Sequence, residues 1–276
     1  MYDEPKQMAR PDNSDEIEKV RCYVEAAETE INDLKIIPRI ATKYAFDSIA
    51  LSTVSKAFAL SKACLSLLDC GFPDEAYGLS RSLVECATNL RYLTEDSVLQ
   101  DGRTDDFVKY FLASKSFWLH YALQLSVSPN EEQRIREYAK QMGIDSDTKS
   151  ARRHWSGKNG FVWDVSVLEH PLDGPVTARH KKIAYAADYH NTSVYVHCSQ
   201  GAVDNYFPEE RTAFRVSPSS GEYSQPSQVT LFIILIYLQF SIAYALHGLS
   251  LERPAKLNTL FEETLNDMKP VPRLHR

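Results

Sequence analysis

Glycine is scarce, with 10 residues in 276. Sheet-rich folds and glycine-looped nucleotide sites use Gly repeatedly at special backbone positions, so both are disfavoured and helix is favoured. Cysteine offers no framework either. The five residues Cys22, Cys64, Cys70, Cys86 and Cys198 are odd in number, scattered and never spaced Cys-x-x-Cys, which argues against a zinc ribbon or a disulfide scaffold. The opening MYDEPKQMARPDNSDE is polar and acidic, with no apolar core, so no secretory signal is expected and the expected location is cytoplasmic. Positive charge is also in deficit. A net charge of -6 and a pI near 5.8 give no global attraction to nucleic acid, so any such binding needs a local basic patch.

What is present is an ordinary globular composition, 43% hydrophobic and 25% charged, in a chain long enough to bury a sizeable core without staples. Residues 1–13 read as a disordered polar tail and 14–270 as one helical domain. The expected fold is all-α, a single bundle of about seven helices with one long basic loop and a central apolar helix. From Ser14, the residues Ile17, Val20, Val24, Ala27, Ile31 and Leu34 step by three and four along one helix face. A second helix runs to about Cys70, where Gly71 and Pro73 stop it.

A third helix, roughly 74–95, carries the stripe Ala76, Leu79, Leu83, Cys86, Leu90 and Leu93. Arg81, Glu85, Thr88 and Tyr92 fall on its opposite side, with Arg81 and Glu85 spaced i,i+4. A fourth helix is expected from Thr104, with Asp105 and Asp106 at its positive end and an aromatic series, Phe107 to Tyr121, as core packing. Ser128, Pro129 and Glu131 form a capping pattern for a fifth. Residues 229–249, VTLFIILIYLQFSIAYALHGL, are the most apolar segment. Gln239, Ser241 and His247 interrupt it and no charge cluster precedes it, so the expectation is a bundle-centre helix and no membrane span. A last helix is expected at about 254–268.

Two stretches carry chemistry. KSARRHWSGKNGFVWD gathers Lys149, Arg152, Arg153, His154, Trp155 and Lys158, where the helical period disappears. It reads either as a solvated loop or as a contact for phosphate or single-stranded RNA, with Trp155 stacking on a base. YHNTSVYVHCSQ, residues 189–200, falls in a helix expected from Thr177. His190 and His197 stand about 10.5 Å apart on that helix, too far for one metal ion, and Cys198 points about 100° away from His197. A metal site and a Cys-His dyad are therefore set aside, and neither metal nor cofactor is expected. Two readings remain for His190, Asn191, Ser193 and His197. One is a buried hydrogen-bond network; the other is a lone imidazole working as acid or base on an RNA 2'-hydroxyl. In the second, Asn191 and Ser193 hold a phosphate oxygen, and Arg81, oriented by Glu85, stabilises developing charge.

Three pieces in order, EAYGLSRSLVECATNLRYL (75–93), HWSGK (154–158) and YHNTSVYVHCS (189–199), resemble a large prokaryotic all-helical family of unknown function, DUF 5677-like. Its last motif is similar to the R-x(4–6)-H signature of the HEPN superfamily, whose domains pair as dimers and cut RNA without a metal, often as toxins or in antiviral defence. The resemblance implies His197 as the acid/base, a homodimer, RNA as substrate and an operon-encoded protein partner as a further possibility. It also implies arginine at position 190, where this chain has histidine. Histidine at neutral pH is mostly uncharged and lacks the fork of donors that grips phosphate. Either Arg81 or the 149–158 stretch then supplies the cation, or the protein binds without cutting and acts as an interaction or regulatory module.

Overall fold

The computed structural model describes residues 13–37, 45–125, 128–141, 170, 172 and 224–268. The fold is all-α. Among the described residues there are seven helices and no strand: α1 (Ser14–Asp33), α2 (Phe46–Asp69), α3 (Pro73–Thr94), α4 (Gln100–Leu125), α5 (Pro129–Gln141), α6 (Ser224–Gly248) and α7 (Ala255–Asp267).

The first four members of the expected α1 stripe, Ile17, Val20, Val24 and Ala27, are sealed in the core with Tyr23 beside them, whereas Ile31 is half-buried and Leu34, just past the helix, is exposed. The end of α2 follows from its glycine. Gly71 takes a left-handed φ of 78°, the Phe72 N–H donates to the Leu67 carbonyl at 2.9 Å, and the Gly71 N–H donates to Leu68 at 3.1 Å. This pair of bonds satisfies carbonyls that the helix leaves open, and Pro73 then starts α3. The capping pattern at α5 is also realised: Ser128 Oγ accepts from the Glu131 N–H at 3.2 Å.

Helix α4 departs from expectation, starting at Gln100 and not at Thr104. Asp96 Oδ1 accepts the Val98 N–H at 2.8 Å, which turns the chain early, and the Arg103 N–H already donates to Leu99. Thr104 is therefore buried one turn inside, its hydroxyl donating to the Gln100 carbonyl. Phe107 and Val108 pack on the core, whereas the side chains of Phe111, Phe117, Trp118 and Tyr121 lie outside the described residues.

Helix α6 occupies the centre, touching α1, α2, α3 and α7. Helices α2 and α6 are both long and apolar enough to cross a membrane, but 78% of the α6 span is buried inside the protein, as a core helix would be. Some of its polar atoms are met from within, while Gln239 Nε2 is buried without a partner. The Tyr23 hydroxyl donates to Gln239 Oε1 at 2.6 Å, and Ser241 Oγ donates to the Tyr237 carbonyl. Burial of an unpaired polar group costs roughly 1–3 kcal/mol, so the Tyr23–Gln239 bond favours one rotation of α6 against α1. Outside the core, Arg21 pairs with Asp69, Lys62 with Glu28 and Lys256 with Glu30. Exposed pairs of this kind contribute about 0–1 kcal/mol each.

The four described thiols divide by environment. Burial pushes Cys64 up to about 12 and Cys86 up to about 11, Glu85 adding to the latter. Cys22 is exposed but also raised, by partial desolvation and then by Glu18. Among these four thiols, alkylation of native protein at pH 8 is expected at the exposed Cys70 and then at Cys22, because the thiolate is the nucleophile. Cys64 and Cys86 should react only after unfolding; peptide mapping that finds either labelled early would contradict this burial.

Candidate functional site

Helix α3 is the element around which candidate chemistry gathers. Pro73 sits at its first position, and Asp74 and Glu75 occupy the first turn, where the helix dipole favours negative charge. Two turns on, Arg81 Nε donates to Glu85 Oε1 at 3.2 Å. The Arg81 side chain is only 19% exposed and that of Glu85 44%, so the pair lies on the flank of the bundle with its guanidinium held in a set direction.

The far end of α3 holds a second polar group, about 15 Å further along the axis by the helical rise. Arg91 is 1% exposed, the largest of the fully buried side chains among the described residues. Its Nη1 donates to the Tyr244 hydroxyl of α6 at 2.9 Å, and its guanidinium carbon stands 5.7 Å from the Tyr244 ring centroid. His170 enters from outside the helices and is 4% exposed. Its ring lies 4.6 Å from Tyr244 and 5.3 Å from His247, edge-on to both. Thr94 Oγ1 is 3.0 Å from His170 Nε2 and donates to the Leu90 carbonyl at 2.8 Å. Nearby, Arg103 donates to Glu95 at 2.8 Å and to the Tyr92 carbonyl, and lies 4.1 Å over the Tyr92 ring, tying α4 to the end of α3.

The opposite-face assignment of Thr88 is corrected. Thr88 is fully buried, with its hydroxyl donating to the Val84 carbonyl. The reason is that α3 is buried on two sides. Besides the apolar stripe, a line of small and polar residues, Ser80, Val84, Ala87, Thr88, Arg91 and Thr94, is also closed off. Small side chains there let α3 pack closely with α6, with which it shares its most extensive contact.

Of the residues expected to carry function, Arg81 and Glu85 are brought together. His190, Asn191, Ser193 and His197 lie outside the described residues, as do Arg152, Arg153, Trp155 and Lys158. Arg91, Thr94, His170 and Tyr244 were not singled out by sequence reasoning. A signal for Arg91 existed, since it falls four residues after Ala87 and seven after Val84. Among the described residues no group of three or more His, Cys, Asp or Glu side chains is arranged to hold a metal ion.

Residues 47–213 match a family of unknown function, DUF5677. The chain belongs to that family. The matched range opens at the start of α2, contains α3 with Arg81 and Arg91, and runs through the 154–158 and 189–199 stretches to a point before α6. In this DUF5677 member, therefore, the helix that buries Arg91 lies outside the matched residues. Among curated proteins and among solved structures, nothing matches the chain.

Proposed function

We propose that this DUF5677 protein is a metal-independent RNA-cleaving or RNA-binding helical protein of a prokaryotic toxin or antiviral defence system, with His197 as its acid/base. The observation that carries the proposal is the set guanidinium of Arg81, fixed by Glu85 on α3 within the same matched range as His197. A cation in a set direction offsets the charge that develops on phosphate, the role left open by histidine at position 190. In the step itself, His197 takes the proton of a ribose 2'-hydroxyl while that oxygen bonds to the adjacent phosphorus. The bond from phosphorus to the 5'-oxygen breaks, and the leaving oxygen takes up a proton. The products are a 2',3'-cyclic phosphate and a 5'-hydroxyl end, and no metal enters the balance.

The test is cleavage of a defined RNA in EDTA by purified wild type and His197→Ala. General acid–base groups contribute roughly 10²- to 10⁴-fold, so the substitution should lower the rate by at least about a hundredfold with the fold intact. Equal rates from the two proteins would remove His197 from the mechanism. His190 favours a second reading, a non-catalytic interaction or regulatory module, because it lacks the permanent charge of arginine. That reading expects no cleavage by wild type and stoichiometric co-purification with an operon-encoded partner.

A further inference from the structure

The junction of α1, α6 and α7 holds three polar side chains with more donors than acceptors. Gln239, in the middle of α6, is 2% exposed. Its Oε1 already takes the Tyr23 proton at 2.6 Å, and its Nε2 is buried with no acceptor. Arg253 lies half-buried in the link between α6 and α7. Its Nε is also buried with no acceptor, and among the described residues no carboxylate pairs with its guanidinium.

Tyr23 joins the two. Its hydroxyl meets Gln239, its ring lies 6.3 Å from Phe261 of α7, and it feels the Arg253 charge. Burial, opposed by Arg253, raises the Tyr23 phenol well above its ordinary range, so Tyr23 is a donor and not a counter-ion. Burial also disfavours the charge of Arg253. Glu262 acts on that charge from α7, but Glu262 is exposed and forms no pair with Arg253.

A buried donor without an acceptor costs free energy, and a desolvated cation without a counter-ion costs more. Water would supply acceptors here but would leave the charge unbalanced. A carboxylate supplies both, with two acceptor oxygens in one plane, a single negative charge and the shape that a guanidinium edge grips.

We propose that the α1–α6–α7 junction is a binding site for a small monocarboxylate, held by Arg253 and Gln239 beside the Tyr23 hydroxyl. Arg253 forms the end open to solvent and Gln239 the inner end. The ligand accepts from Gln239 Nε2 and Arg253 Nε, the two donors left without partners.

The experiment titrates the full chain with sodium acetate, against sodium chloride at equal ionic strength, and follows the Tm and the ¹H–¹⁵N signals of Arg253 Nε and Gln239 Nε2. Acetate should raise the Tm saturably and shift both signals with one Kd, because a ligand that binds only the folded state stabilises it by mass action. Arg253→Gln removes the charge and should weaken binding at least about tenfold, the effect of losing a hydrogen bond to a charged group. Gln239→Glu still accepts the Tyr23 proton but sets a fixed carboxylate at the inner end, so the acetate response should vanish. The site is overturned by a wild type with no saturable response, by shifts at Arg253 alone, by an undiminished response in Arg253→Gln, or by inorganic phosphate binding more tightly than acetate. If Gln239→Glu does not fold, the wild-type signals and Arg253→Gln decide. None of these readouts involves RNA, so failure of the proposed function leaves the result intact.

Discussion

Arg91→Ala is expected to destabilise the protein by about 3–5 kcal/mol, the range for truncating a large buried side chain to alanine. Two losses combine. The Tyr244 hydroxyl loses its donor at 2.9 Å in a site closed to water, and the volume of a 1%-exposed side chain becomes a cavity between α3 and α6. Arg91→Met separates the two, since it keeps most of the volume and removes the charge. Buried ionic groups replaced by apolar ones of similar size are often neutral or better, so Met should cost clearly less than Ala. Arg91→Lys should not rescue, because an ammonium lacks the planar fork and stacks poorly over the Tyr244 ring. Denaturant unfolding of the three variants measures the order. Ala and Met with equal losses would mean that the charge, and not the packing, sets the cost.

Gly248→Ala is the second large effect, about 1–3 kcal/mol of destabilisation. A Cβ at this position would stand 2.4 Å from Phe46 Cζ and 2.5 Å from Thr94 Cγ2. Neither neighbour can swing aside, as Phe46 is 5% and Thr94 2% exposed. The helix-propensity gain of Ala over Gly, up to about 1 kcal/mol, offsets only part of this. Thr94→Ser removes the clashing methyl and keeps the hydroxyl, so the double variant should recover some of the loss, with a coupling of at least about 0.5 kcal/mol. A Gly248→Ala protein as stable as wild type would show that α6 does not approach α2 and α3 this closely.

Gly248 also illustrates what the sequence could not convey. A glycine at the end of an apolar helix suggests a left-handed terminator. The left-handed position is instead Ser250, with φ 57°, where the Leu251 N–H donates to Leu246 and the Ser250 N–H to His247. Gly248 is needed for contact with residues far away in the chain. At Gly71 local chemistry and backbone coincide, so the stop of α2 was legible; at Gly248 the requirement is set by Phe46 and Thr94, which no local pattern reveals.

The candidate site divides in the same manner. Arg81 and Glu85 were legible because i,i+4 spacing on a helix is itself a distance. The group at the other end of α3 was not, because His170, Tyr244 and Arg91 are separated by 74 to 153 residues in sequence, and their types fit a surface as well as a core. Thr88 misled for a related reason: a hydroxyl that bonds back to its own helix can be buried at little cost, so polarity alone did not place it.

By itself, then, the sequence determined the all-α class, the order of the described helices, their principal apolar faces, the central place of residues 229–249 and the kinship to DUF5677. All of these follow from periodicity, caps and short motifs, which act within a few turns of chain. Only the tertiary structure decided that α3 is buried on two sides, that a guanidinium lies at the α3–α6 contact, and that His170 is buried within 3.0 Å of Thr94. Those outcomes depend on which surfaces meet and exclude water, a property of the assembled helices that no single segment carries.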